Sequence, residues 1–300
     1  MAPRVSVVVP CYNGGRFLDS LLASLAAQTF RDFEIVIVDD GSTDPATRDK
    51  LDSLDPSVRV VRQENRYMAG ARNRGYAEAK AEFVVPLDCD DTLEPSYLAE
   101  TVPLLAAAPP DVGFVFTHIR LTGELEGVVA RHLNRFDQLL FNYLPYCMLI
   151  RRSAWEAAGG YDETLRDGSE DWEFSIRLIR AGFRALELPK PLFVYSVGVG
   201  GMWMSRGARM HGTIWRQIRA RHAALYRIPA LVALWRDTRC ENPKLSALAA
   251  GALLGSARLL PEAWFNHLFY RLIVMTRARR IARGEIRSGL AGAGSLVPTR

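Results

Sequence analysis

The sequence is poor in cysteine and has no long apolar run. Its four cysteines, Cys11, Cys89, Cys147 and Cys240, are scattered over 300 residues and form no C-x-x-C pair. That argues against a zinc site or a disulfide framework and for a reducing compartment. No uninterrupted apolar stretch reaches the ~18 residues of a membrane-spanning helix. The first strand is expected within a few residues of Met1, which leaves no room for a signal peptide. Disorder is excluded by composition: 49% apolar and 24% charged residues are the values of a globular chain. The length suits one large domain or two ordinary ones.

Charge is unevenly placed. Residues 201–300 hold 17 Lys and Arg against 4 Asp and Glu, whereas residues 1–200 hold 21 against 29. An acidic front part can hold a metal ion. A basic tail can meet phosphates, anionic lipid or the acidic part of its own chain.

What is present centres on Phe83–Asp91, FVVPLDCDD. The apolar run Phe83–Leu87 predicts a strand buried on both faces. Three carboxylates follow at its carboxyl end, where open α/β sheets bind ligands. Carboxylates this close repel unless a cation or hydrogen bonds hold them, and oxygen-only ligands suit Mg²⁺ or Mn²⁺ bridging to substrate phosphates. Asp88-Cys89-Asp90 is therefore a candidate metal and nucleotide-diphosphate site. The competing reading is an acidic turn that caps the next helix.

Upstream, the pattern alternates strand and helix: a strand at Val5–Val9, a helix over 16–28, a strand at Phe33–Val38, a helix over 46–54 and a strand at Val58–Val61. This predicts a parallel sheet with right-handed crossovers. The turn Pro10-Cys11-Tyr12-Asn13-Gly14-Gly15 follows the first strand, and Asp39-Asp40-Gly41-Ser42-Thr43-Asp44-Pro45 follows the second. A helix over 69–80 places Arg72 in its first turn, where a cation is disfavoured by the macrodipole unless it faces an anion. Further on, a helix at about 96–107 and strands at 112–117 and Tyr146–Arg151 are expected. Gly123 and Gly127 suggest a turn or hairpin inside the unpatterned segment 118–145. Ser153 is expected to cap a short helix ending at Gly159-Gly160. Glu170-Asp171-Trp172-Glu173 opens a helix to about Ala181; taken alone, its acids read as favourable first-turn charges.

Six stretches in order resemble glycosyltransferase family 2, over Val5 to about Ser205. They are Val7-Val8-Val9-Pro10-Cys11-Tyr12-Asn13, Gln28-Thr29-Phe30 with Glu34 to Asp44, Ala71-Arg72-Asn73, Asp88-Cys89-Asp90-Asp91, Gly159-Gly160-Tyr161-Asp162-Glu163, and Glu170-Asp171-Trp172. The resemblance implies a GT-A (Rossmann-like) α/β fold: a mixed, mainly parallel sheet flanked by helices. The nucleotide half would span about 1–91 and the acceptor half about 92–205, with a basic helical C-terminal region over 206–300. It further implies an inverting, hexosyltransferase-type enzyme using a nucleotide-diphosphate sugar, with Mn²⁺ or Mg²⁺ as cofactor. Pro10, Tyr12 and Asp40 would surround the base, Arg72 would reach the base or diphosphate, Asp88 would lie near the ribose, Asp90 would bind the metal and Asp171 would be the general base. Asn13, Glu170, Trp172 and Trp203 are candidate acceptor or donor contacts. Asp40 with Tyr12 suits uracil, and thymine and guanine also offer a ring N–H.

The chain departs from the family where many members carry Tyr-Arg-x-His. Here the stretch is Tyr195-Ser196-Val197-Gly198, so the third metal ligand is open. His211 is nearby but out of register and is read as structural. The departure keeps a non-catalytic sugar-nucleotide-binding or assembly-scaffold protein as an alternative; a weaker one is a nucleotidyltransferase, whose chemistry also uses an acidic metal site on a related fold. In the tail, Phe265, Leu268, Phe269, Leu272, Ile273 and Met275 make an apolar face followed by Arg277, Arg279, Arg280 and Arg283. Such a helix suits an anionic membrane surface, which would place the protein at the cytoplasmic face of a membrane, in surface polysaccharide or glycoconjugate assembly. The alternative is packing on the catalytic domain or across a homodimer. The expected acceptor is a glycan, glycolipid or other hydroxyl; no nucleic-acid motif accompanies the basic tail.

Overall fold

Every residue of the first strand, Val5–Cys11 (β1), is buried, as a β-branched run between two helical layers must be. In this computed structural model, which describes residues 2–166, 168–198, 208–241 and 243–288, β1 lies inside a parallel sheet. Phe33–Asp39 (β2) pairs with it on one side, with Val58–Arg62 (β3) beyond, and Phe83–Pro86 (β4) pairs on the other. The helices Leu18–Ala26 (α1), Pro45–Asp52 (α2) and Tyr67–Glu78 (α3) connect these strands.

Alternation along β1 decides which helix covers which face. Val5, Val7 and Val9 share a core with Leu18, Leu21 and Leu25 of α1, whereas Val8 packs with Ala69 and Tyr76 of α3. The second contact is so close that a Cβ on Gly75 would lie 2.1 Å from Val8 Cγ1. Helix α3 starts at Tyr67, two residues before the expected position, so Arg72 stands in its second turn and not its first.

The chain continues with Thr92–Leu93 (β5), Tyr97–Ala107 (α4), Val112–Gly123 (β6), Leu125–Val129 (β7), Leu149–Arg151 (β8), Arg152–Ala158 (α5), Glu170–Arg180 (α6) and Arg184–Val197 (β9). Strand β8 lies between β4 and β6, antiparallel to both, and β9 runs parallel to β6 and antiparallel to β5. The sheet is thus mixed, parallel through β1 to β4 and largely antiparallel beyond them. The hairpin expected from Gly123 and Gly127 is formed by β6 and β7. Ser153 does not cap α5: it lies within that helix, whose N-cap is Arg151 without a side-chain bond.

Beyond residue 207 the described chain forms Ala208–Arg221 (α7), Ile228–Asp237 (α8), Ala247–Leu259 (α9) and Glu262–Ala282 (α10), and then returns as Ile286–Ser288 (β10) to pair antiparallel with β7. Ile214, Trp215 and Ile218 of α7 and Phe265 and Phe269 of α10 share a core with Trp172 and Ile176 of α6. The expected apolar face of α10 is therefore divided. Phe265 and Phe269 are buried, while Leu268 and Met275 are 57% and 53% exposed on the other side. The expected boundary at 205/206 lies outside the described residues.

Candidate active site

The site is assembled at the carboxyl ends of β1, β2 and β4, where loops leave the sheet and backbone donors point outward. After β1, Pro10 is buried and Tyr12 is 49% exposed. Asn13, with a left-handed backbone (φ 52°), ties this loop to the one after β2: its Oδ1 accepts from the backbone N–H groups of Thr43 (2.8 Å) and Asp44 (2.9 Å). The Asn13 amide oxygen is thus engaged in holding two loops together. Asp40 is buried, its Oδ1 accepts from Gln63 Nε2 (2.7 Å) and the Arg66 N–H (2.8 Å), and burial raises its pKa. Gly14 lets the β1 loop meet the loop after β4: a Cβ there would lie 2.5 Å from Cys89 Sγ.

Arg72 links the two halves of the site. It is 2% exposed, and its guanidinium donates to Asp88 Oδ1 at 2.8 Å and to Glu170 Oε1 at 2.6 Å, while Tyr146 lies beneath it at 4.7 Å. The anion expected opposite Arg72 is therefore a pair of the protein's own carboxylates. A second chain fixes the acidic loop. The Asp88 N–H donates to Tyr146 Oη (3.0 Å), Tyr146 donates to Asp91 Oδ2 (2.5 Å), and the Ser196 N–H donates to Asp91 Oδ1 (2.7 Å). Asp91 is buried, and burial with the charges of Asp88 and Asp90 pushes its pKa well up.

Asp90 is exposed at the tip of this loop, and desolvation of its carboxyl together with the charge of Asp88 raises its pKa. A neighbouring negative charge makes a carboxylate harder to ionise, and a nearby cation offsets it. The donor set of Asp88 and Asp90 is oxygen only, which fits Mg²⁺ or Mn²⁺. Ser196 contributes its backbone N–H to Asp91, as above.

Helix α6 brings the remaining acids. It opens after Ser169, whose backbone is left-handed (φ 67°). Among the described residues the three non-glycine residues with positive φ are Asn13 in the loop after β1, Tyr67 at the start of α3 and Ser169 just before α6; such strain is commonly held near functional sites. Glu170 is buried, and burial pushes its pKa up to about 7 against the pull of Arg72. Asp171 is partly exposed. Its Oδ1 accepts from the Trp172 N–H (2.8 Å) and its Oδ2 from Asn142 Nδ2 (2.9 Å). Burial raises its pKa, opposed by Arg72 and by these two donors. A carboxylate raised in this way is a better proton acceptor near neutral pH than an ordinary aspartate.

The structure thus brings Arg72, Asp88, Glu170 and Asp171 together, with Asp90 on the same loop as Asp88. Trp172 does not belong to the surface of the site. It is fully buried, donates from Nε1 to the Gln138 carbonyl (2.6 Å) and stacks on His211. His211 also stacks on Phe269 at 3.9 Å, and burial lowers its pKa to about 3, so it is a neutral core residue. Trp203 lies outside the described residues. Two residues escaped the reading of the sequence. Asn142 lies in the stretch 118–145, which carries no periodicity, and Tyr146 reads only as the start of a strand. Asp91 was visible beside Asp90, but nothing local distinguished its buried structural task from metal binding.

A sequence model described as glycosyl transferase family 2 matches residues 6–158, about half of the chain. Glycosyltransferase GlyG of Streptococcus pneumoniae is 40% identical over 97 residues, covering 31% of this chain and 32% of that protein. Matches to the first curated relatives span 28–36% of those relatives' own lengths. Among solved structures, mannosyltransferase PcManGT from Pyrobaculum calidifontis, in complex with GDP-Man and Mn²⁺, superposes with a TM-score of 0.58 at 24% identity, covering 95% of this chain and 82% of that one. S. aureus TarS 1-349 in complex with UDP-GlcNAc gives 0.59 at 20% identity, covering 94% and 92%. At these identities the likeness establishes the fold, which is GT-A.

Proposed function

The chain belongs to glycosyltransferase family 2, and from that membership we propose that it transfers a sugar from a nucleotide-diphosphate sugar to an acceptor hydroxyl, with inversion at the anomeric carbon. In this reading the nucleotide base lies against Tyr12, and the buried Asp40 accepts from a ring N–H. Asp88 lies toward the ribose. Asp171 accepts the proton that the acceptor hydroxyl loses as it attacks. Arg72 holds Asp88 and the Glu170 beside that base in one geometry, so donor and base are positioned against each other. Asp90, with Asp88 beside it, would hold the divalent ion, which when bound supplies Lewis-acid neutralisation of the diphosphate leaving group. No covalent intermediate is required, since a single base suffices for one displacement and a retaining route needs an additional nucleophile.

The observation that carries this reading is the guanidinium of Arg72, bonded at once to the acidic loop after β4 and to the acid next to Asp171. The experiment is titration with UDP, GDP and dTDP, each with and without Mn²⁺, followed by transfer assays of Asp171→Asn and Asp90→Asn. One metal-dependent nucleotide and loss of transfer in both folded variants is the expected result. Wild-type turnover in either variant removes that residue from the mechanism. Nucleotide binding without transfer to any acceptor moves the protein to a scaffold role.

The outer face of α10 extends the reading. Trp264, Leu268, Arg271, Met275 and Arg279 recur at intervals of three and four and are all exposed. Apolar groups with arginines on one helical stripe complement an anionic lipid surface. No helix among the described residues is long and apolar enough to cross a membrane. We place this stripe on the cytoplasmic membrane face, with a lipid-linked or surface glycan as acceptor.

A further inference from the structure

We propose that His118, His132 and Glu187 bind one divalent transition-metal ion of the Zn²⁺ class, separate from the cation of the donor site. Glu187 lies 69 and 55 residues along the chain from His118 and His132. His118 lies on β6 where the pairing with β9 shifts register, between Thr117, opposite Leu188, and Ile119, opposite Phe193. Irregularities of this kind redirect side chains and recur beside functional sites. Glu187, on the neighbouring strand β9, pairs with Phe116 of β6, and His132 follows β7.

Their ligand atoms converge. His132 Nδ1 is 2.9 Å from Glu187 Oε1 and 3.1 Å from Oε2, His118 Nε2 is 3.2 Å from Oε1, and the three ligand atoms lie within 4.8 Å of one another. Ligands held at ~2.0–2.2 Å around tetrahedral zinc are separated by about 3.3–3.5 Å. The two histidine–carboxylate contacts are thus within about half an ångström of the spacing that ligation requires. Two imidazoles and a carboxylate select Zn²⁺ and its neighbours over Mg²⁺ and Mn²⁺, so this set and the all-oxygen donor site divide the available cations between them. A three-ligand site leaves a fourth position for water. The low cysteine count speaks against thiolate zinc sites, and this set uses no thiolate. Because His132 precedes the segment that carries Asn142, the ion would clip that segment to the β6–β9 pair.

The test is calorimetric titration of the full-length chain with Zn²⁺ alone. Equimolar binding is expected in the wild type and in Asp90→Asn, and at least about tenfold weaker binding in His132→Ala and in Glu187→Gln, by comparison with what even outer-shell partners contribute. The His132 side chain is 59% exposed, so its replacement leaves the fold in place, and Glu187→Gln keeps the shape of the acid. Zn²⁺ affinity unchanged in both ligand variants, absence of binding in the wild type, or loss of binding in Asp90→Asn would each overturn the proposal. The last outcome would place the ion at the donor site; the first two would leave the cluster as a histidine–carboxylate hydrogen-bond network.

Discussion

Asn142 donates from its side-chain amide to Asp171 Oδ2 at 2.9 Å, and so the segment between β7 and β8 sets the orientation of the candidate base. The same segment is anchored by Gln138, which donates to Asn142 Oδ1 (3.1 Å) and to Ser175 Oγ of α6 (2.8 Å). Replacing Asn142 by Ala removes a hydrogen bond that favours the ionised form of Asp171, so the pKa of Asp171 rises further. Losing about 1.4 kcal/mol of positioning corresponds to about tenfold in kcat. We expect that drop with the donor KM unchanged, and the acid limb of the kcat–pH profile displaced to higher pH. A pH–rate series on the variant checks both; an unmoved limb removes Asn142 from the positioning role.

Arg72 is expected to bear on stability as well as on the proposed chemistry. Arg72→Met would leave Asp88 and the buried Glu170 without their cation. Breaking a buried pair on one side costs about 3–5 kcal/mol, which urea unfolding of the variant would show directly. Arg72→Lys keeps the charge but not the fork that reaches two carboxylates. It should fall between wild type and Arg72→Met in stability while losing most of its transfer activity.

His211 predicts an acid sensitivity of known sign. Its ring is stacked on Phe269 and Trp172, its Nε2 is buried without a partner, and its pKa is lowered from 6.5 to about 3. Between those values the unfolded chain binds a proton that the native chain does not. Stability therefore falls as pH drops from 6.5 toward 3, by about 1.4 kcal/mol per pH unit. His211→Phe removes this contribution. The unfolding free energy of the variant, compared with wild type at pH 7 and pH 5, should gain up to about 2 kcal/mol in its favour at the lower pH. An unchanged difference between the two pH values would mean that the ring takes up its proton in the native state as readily as in the unfolded chain.

The α10 stripe is tested with Trp264→Ser combined with Leu268→Ser. Both side chains are largely exposed, at 73% and 57%, so thermal stability should not change. Sedimentation with phosphatidylserine-containing vesicles should be lost, and wild-type binding should weaken as salt rises. If both proteins ignore vesicles and the wild type alone self-associates, the stripe covers a second copy instead.

The order of strands and helices up to Asp91 could be read from the chain because each is a local periodic signal: β-branched runs such as Val5–Val9, leucines at helical spacing in α1, and turn residues between them. The acidic positions could be read too, since Asp88 and Asp90 at the end of a buried strand are informative in themselves. The N-terminal boundary of α3 was less well marked, and the two-residue difference moved Arg72 out of the first turn. Its partners, Asp88 and Glu170, lie 16 and 98 residues away, and nothing local to Arg72 announces them.

Local sequence thus determined the alternating strands and helices up to β4, the motif positions and the helical, basic character of the tail, because backbone propensity and hydrophobic period act over a few residues. Tertiary structure alone decided that Trp172 and His211 are core, that Asn142 holds Asp171, that α10 divides its apolar residues between two faces, and that His118, His132 and Glu187 meet. Each of those depends on segments far apart in the chain being brought within about 3–4 Å, and on which side chains are thereby removed from water.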